Sequence, residues 1–132
     1  MLPTWPPGTP AILVVTSGHA IPVSSYVRRS DERILVALGS RREMLARLRA
    51  EPGAAFCVLA RGVAFTAHCR AAVVREAMDA APANTAVELH VERVQDHLAD
   101  GRTEITEGAQ WRWLDDEAAA LQPAILKELE AL

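Results

Sequence analysis

Arg33-Ile34-Leu35-Val36-Ala37-Leu38-Gly39-Ser40-Arg41-Arg42-Glu43-Met44-Leu45-Ala46-Arg47-Leu48-Arg49-Ala50-Glu51-Pro52 is the stretch on which the fold turns. Arg33 to Leu38 is a short apolar run of strand type. Gly39 breaks it. Ser40 and Glu43 have the spacing of a capping box, which predicts a helix start at Ser40. Met44, Leu45 and Leu48 then recur at helical spacing. Pro52-Gly53 ends the helix. One helix therefore interrupts a chain that otherwise reads as strands.

Upstream, Pro3, Pro6, Pro7 and Pro10 make the first ten residues an extended arm. Ala11 to Thr16 is a continuous β-branched and aliphatic run, typical of a buried strand. Ser17-Gly18 is a turn, and His19 to Arg28 reads as one second strand. Pro22 inside it predicts an edge, a bulge or a ligand's approach. Residues 29–32 are a polar hairpin turn.

Downstream, Ala54 to Arg61 and Val63 to Arg75 read as a strand pair joined at Gly62. Residues 77–83 are weak, part helix and part loop. Residues 85–98 carry two patterns. Val87, Leu89 and Val91 alternate as in a strand, whereas Val87, Val91, Val94 and Leu98 fit a helix; a strand is favoured at the start. Gln110 to Leu114 reads as a short strand with Trp111 and Trp113 on one face. Residues 115–132 read as helical, with Pro123 predicting a kink or a second helix start.

Strands outnumber helices and arrive as hairpins, which predicts a mainly β, α+β chain: an antiparallel barrel or strongly curled sheet with peripheral helices. At 132 residues with no dividing linker, a single domain spanning 1–132 is expected. The net charge of −3 favours neither nucleic acid nor an anionic membrane. The start has neither a basic stretch nor a long apolar run, so no secretory signal is read and a cytoplasmic protein is expected. Cys57 and Cys69 form no disulfide framework and read as buried thiols. His19, His68, His90 and His97 are scattered without metal-ligand spacing, so no metal is expected.

Two arginines, Arg41 and Arg42, crowd the expected helix start, where partial positive charge already resides. A capped surface helix with solvated arginines is one reading. A phosphate site is the other, since helix N-termini and forked guanidiniums both suit phosphate oxygens. The Trp111–Trp113 pair reads either as packing of the core or of a dimer, or as a stacking surface for a ring.

From Ala11 to about Val74 the chain resembles the FMN-binding split-barrel family related to pyridoxamine 5'-phosphate oxidase. The likeness rests on order and spacing. A buried strand leads to His19-Ala20-Ile21-Pro22-Val23-Ser24-Ser25-Tyr26, then to Arg33–Leu38, Gly39 and the basic helix. Arg42-Glu43-Met44-Leu45-Ala46-Arg47-Leu48 lies on the family's helix pattern Arg-x-Lys-x-x-Asn-Leu, and Glu51-Pro52 replaces its Asp-Pro.

The resemblance implies a six-stranded antiparallel split barrel that forms a homodimer, with FMN between the subunits. Ile21, Pro22, Val23, Ser24 and Ser25 would flank the flavin ring. Ala37, Leu38, Ser40, Arg41, Arg42 and Arg47 would lie at its phosphate. A second copy closes such a site, with His68, Trp111 and Trp113 as candidate contributors. Two positions depart from the pattern: Met44 takes the place of the lysine, and Ala37-Leu38 the place of a Ser or Thr. The implied activity is that of a flavin-dependent oxidoreductase with an unknown small-molecule substrate. The alternative is a cofactor-poor or deazaflavin-binding homodimer acting as a binding module. No residue is singled out as a catalytic acid or base.

Overall fold

The computed structural model describes residues 1–132. Seven strands form one antiparallel sheet: β1 (Ala11–Val15), β2 (Ala20–Val23), β3 (Tyr26–Arg28), β4 (Arg33–Gly39), β5 (Gly53–Ala60), β6 (Val63–Arg75) and β7 (Asn84–Asp96). Helix α1 (Glu43–Ala50) joins β4 to β5, and α2 (Asp116–Ala131) follows the last strand. The strand order is β2-β1-β5-β6-β7-β4-β3.

That order forces the sheet to curl. β2 and β3 are its two edges, yet only Ser24 and Ser25 separate them in sequence. A flat seven-stranded sheet would hold its edges roughly 29 Å apart at about 4.8 Å per strand. Three Cα steps from Val23 to Tyr26 reach at most about 11 Å. The edges must therefore meet, and the barrel they close has an unpaired seam beginning at Ser24-Ser25.

The strand count corrects the expected six. The run from His19 to Arg28 is two strands, because β2 pairs with β1 while β3 crosses the seam to pair with β4. Pro22 sits on the edge strand, opposite Ile12, where its missing N–H costs no inner ladder bond. Residues 84–96 are strand throughout: β7 pairs with both β4 and β6, burying Val87, Leu89 and Val91. β6 and β7 fall out of register between His68 and Cys69 and again between Val73 and Arg75. Such irregularities sharpen local bending of the sheet.

The barrel interior holds Leu13, Ile34, Val36, Phe56, Val58, Phe65 and Leu89 with 17 other buried side chains. α1 inserts Met44, Leu45 and Leu48 into this core. The N-terminal arm adds Leu2 and Trp5, whose indole lies 5.1 Å from Phe65 and 6.3 Å from Tyr26 between ring centres. A second, smaller core lies outside β4 and β7. There α2 lays Ile125 and Leu129 over Leu35, Ala86, Met78 and Ala81.

Four other local expectations change. Residues 77–83 form no helix; they loop so that the Met78 and Asn84 amides donate to the Asn84 and Ala81 carbonyls. Residues 110–114 form no strand. Pro123 lies inside one continuous helix, so no second helix starts there. The two cysteines expected as buried thiols differ in placement, Cys57 pairing in register with Thr66 and Cys69 with Ala54. Cys69 is buried, with its thiol pushed up to about 12 mainly by that burial, whereas Cys57 lies half-buried on the outer face.

Candidate functional site

The seam opens into a groove of about 320 Å³. One wall is the β2–β3 link with its flank, Pro22, Val23, Ser24 and Ser25. The facing wall is the end of β4, Ala37, Leu38 and Gly39, with Arg42 after it. The Ala37 amide donates to the Ser25 carbonyl at 2.9 Å, tying the two walls together. Asn84, paired with Gly39 across β4 and β7, and Trp113 complete the lining. Pro22 and Trp113 supply the exposed apolar surface beside hydroxyl, amide and guanidinium groups, and Val23 and Leu38 line the floor with their side chains in the core.

Arg42 is the cation of this groove. Glu43 is the neighbouring carboxylate, but His19 engages one of its oxygens at 2.9 Å and Arg47 the other at 3.4 Å. Arg42 is thereby left without a counter-ion. Its side chain folds over Gly39, where an added Cβ would lie 3.0 Å from Arg42 Cγ and 3.3 Å from Cδ. The missing side chain at Gly39 therefore leaves room for the Arg42 stem.

The helix start differs from the capping-box reading. α1 begins at Glu43 with Arg42 as its extended N-cap, and no side chain caps it. β4 runs on through Gly39, the Ser40 amide donates to the Ala83 carbonyl at 2.8 Å, and the Arg42 amide donates to Gly39. Ser40 is thus held in a turn before the helix. The amides of Ser40 and Arg42 are already occupied and cannot serve an anion. What the groove offers a phosphate is the Arg42 guanidinium.

The groove gathers eight of the candidate residues: Pro22, Val23, Ser24, Ser25, Ala37, Leu38, Arg42 and Trp113. Six lie outside its lining. Ile21 faces the core. Ser40 and Arg41 are exposed beside the groove. Arg47 turns the other way, donating to Ser17 Oγ at 2.9 Å, while its Nε is buried without a partner. His68 lies on the outer face of β6, bonded to Gln95 at 2.7 Å. Trp111 packs edge-on against Trp113 with ring centres 5.1 Å apart, and its indole donates to the Gly8 carbonyl. Met44, at the family's lysine position, is fully buried in the core.

Asn84 carries no local sequence signal, whereas Gly39 opens the Gly39–Arg42 turn expected to hold the phosphate. Gly39 was visible as a strand terminator. Asn84 reaches the groove only through the β4–β7 register, a pairing of positions 45 residues apart.

The fold recurs among solved structures. A protein of Lactobacillus delbrueckii provisionally assigned as a pyridoxamine 5'-phosphate oxidase superposes with a TM-score of 0.56 at 17% identity, covering 66% of this chain and 84% of its own. An FMN-binding protein of Syntrophomonas wolfei gives 0.52 at 10% identity, with coverages of 70% and 78%. An F420 reductase gives 0.53 at 9% identity, with coverages of 67% and 90%. The fold is the split barrel of these proteins. The resemblance noted in the sequence is thus matched by the architecture. No protein-family model matches the chain, and no curated protein matches it in sequence.

Proposed function

We propose that the chain is an FMN-dependent oxidoreductase of the pyridoxamine 5'-phosphate oxidase-like type, with the flavin in the seam groove and its phosphate at Arg42. The observation that carries this reading is that Arg42, without a counter-ion, lines one groove with Pro22–Ser25, Leu38 and Trp113. A flavin needs both: a fork of donors for its phosphate and an apolar slot for its ring. The residues present fit the group. The flavin would supply the hydride chemistry. The chain's own part is to anchor the phosphate through Arg42, to offer the Ser24 hydroxyl and the Asn84 amide as polar contacts, with the Ser25 hydroxyl, which donates to Gln122, left only to accept, and to cover the ring with Trp113.

A homodimer is part of the proposal. The outer faces of β1 and β5 present Ile12, Val14, Ala55, Cys57 and Leu59, and α2 covers only the opposite part of the sheet. Ile12 is 42% and Leu59 60% exposed. Pro22, opposite Ile12, joins this face to the groove. A second copy seated here would bury the apolar patch and wall the open groove, on the face where His68 lies.

A deazaflavin or cofactor-poor binding module is the second reading, favoured by one observation. Met44 is buried where the family pattern has a lysine, so Arg42 alone lines the groove as a cation. The absorption spectrum of the purified protein distinguishes the readings. Flavin bands in the blue and near ultraviolet, present as purified or after FMN addition and desalting, support the first. A colourless protein that retains neither FMN nor a deazaflavin contradicts it and leaves the binding module.

A further inference from the structure

A second cavity of about 360 Å³ lies against the groove. Ser24 lines both, and the two tryptophans divide them: Trp111 faces this cavity and Trp113 the groove. Trp5, Tyr26 and Val27 form one side, and Leu126 of α2 the other. The volume falls in the usual small-ligand range of roughly 300–1,000 Å³.

The polar groups on this cavity are mostly committed. The Tyr26 hydroxyl donates to the Thr9 carbonyl and accepts from the Trp5 indole. The Arg28 guanidinium donates to the carbonyls of Leu2 and Pro3 and pairs with Asp31 at 2.7 Å. The Trp111 indole is bonded to Gly8. The ring faces and aliphatic groups are what remain for a ligand. Gln122 accepts from Ser25 through Oε1, which leaves its amide nitrogen to donate. Glu130, exposed on the cavity and outside every ion pair of the chain, leaves a carboxylate able to accept. With Arg28 neutralised by Asp31, the local charge is negative, which disfavours an anion.

We propose that this cavity binds a planar aromatic molecule that carries a hydrogen-bond donor and no negative charge. Binding follows from the cavity alone. Its role as the substrate pocket beside the flavin rests on the function proposed above.

The test uses the three tryptophans as reporters, since each gives one indole cross-peak in a ¹H–¹⁵N spectrum of the full chain. Single Trp→Phe variants assign the peaks. Titration with 2-naphthol should shift Trp5 and Trp111 saturably. 2-Naphthoate, the same ring with a negative charge, should bind about tenfold or more weakly. Leu126→Trp, which fills the cavity from half-exposed Leu126, should weaken 2-naphthol binding by about tenfold or more. Unmoved Trp5 and Trp111 peaks at millimolar 2-naphthol overturn the proposal, as does naphthoate binding equal to naphthol. FMN in the same spectra should move Trp113. An absent FMN shift overturns the flavin reading alone, so the two failures are separable.

Discussion

Replacing Arg42 with alanine separates ligand binding from folding. The side chain is exposed, has no counter-ion and caps nothing through hydrogen bonds. Its loss should therefore change stability by no more than about 0.5 kcal/mol, the usual range for such surface sites. For FMN the same change removes the groove's cation. Hydrogen bonds to charged groups contribute about 1.5–3 kcal/mol. Arg42 is open to solvent and screened, so the low end applies. A loss of about 1.5 kcal/mol is roughly a tenfold rise in Kd. Arg42→Lys should fall between, since it keeps the charge but not the fork. The assay is quenching of flavin fluorescence at two salt concentrations, with urea denaturation as the folding control. Raising salt should weaken wild-type binding and leave Arg42→Ala nearly unaffected. Equal FMN affinity in wild type and Arg42→Ala, with both folded, would refute the assignment of the phosphate to this residue.

Further outcomes follow from other contacts. Gly39→Ala places a Cβ against the Arg42 stem, so FMN affinity should fall several-fold while urea stability changes by less than about 1 kcal/mol; unchanged affinity would show that Arg42 does not need the room left at Gly39. Glu128, with a side chain only 9% exposed, accepts from the Asp79 and Ala80 amides and from Arg75 at 2.7–3.0 Å. Burial pushes its carboxyl up, but those three donors outweigh it and hold the value below normal. Glu128→Gln should therefore cost about 2 kcal/mol at pH 7. Because the folded value is the lower one, that margin exists above the unfolded carboxyl range and should vanish as pH falls through the folded value. Equal urea midpoints for the two proteins at pH 7 would rule out the clamp. Leu59→Asp puts a charge on the uncovered outer face; sedimentation should report folded monomer where wild type is a dimer, and a monomeric wild type would remove the dimer from the account.

Much of the groove was legible in sequence because its walls are local. Pro22–Ser25 and Ala37–Arg42 are two short segments whose strand ends and glycine were visible as such. What sequence could not supply were the long-range bonds. Ser40 has the chemistry of an N-cap, yet its amide goes to Ala83 and the helix begins three residues later. Residues 84–96 fit two periodicities, and pairing with β4 on one side and β6 on the other selects the strand. The single run from His19 to Arg28 hid the seam, because nothing local says that β2 and β3 belong to opposite sheet edges. Trp111 and Trp113 alternate as a strand would, but both sheet edges are taken by β2 and β3, and the segment packs its indoles against each other instead.

A flavin held in the seam with its phosphate at Arg42 must draw much of its affinity from that phosphate. Parallel fluorescence titrations with FMN and with riboflavin, which has the same ring and no phosphate, test it most directly. FMN fluorescence should be quenched saturably at one per chain, and riboflavin should bind about tenfold or more weakly. Flavin fluorescence unchanged by folded protein, or riboflavin bound as tightly as FMN, would contradict it.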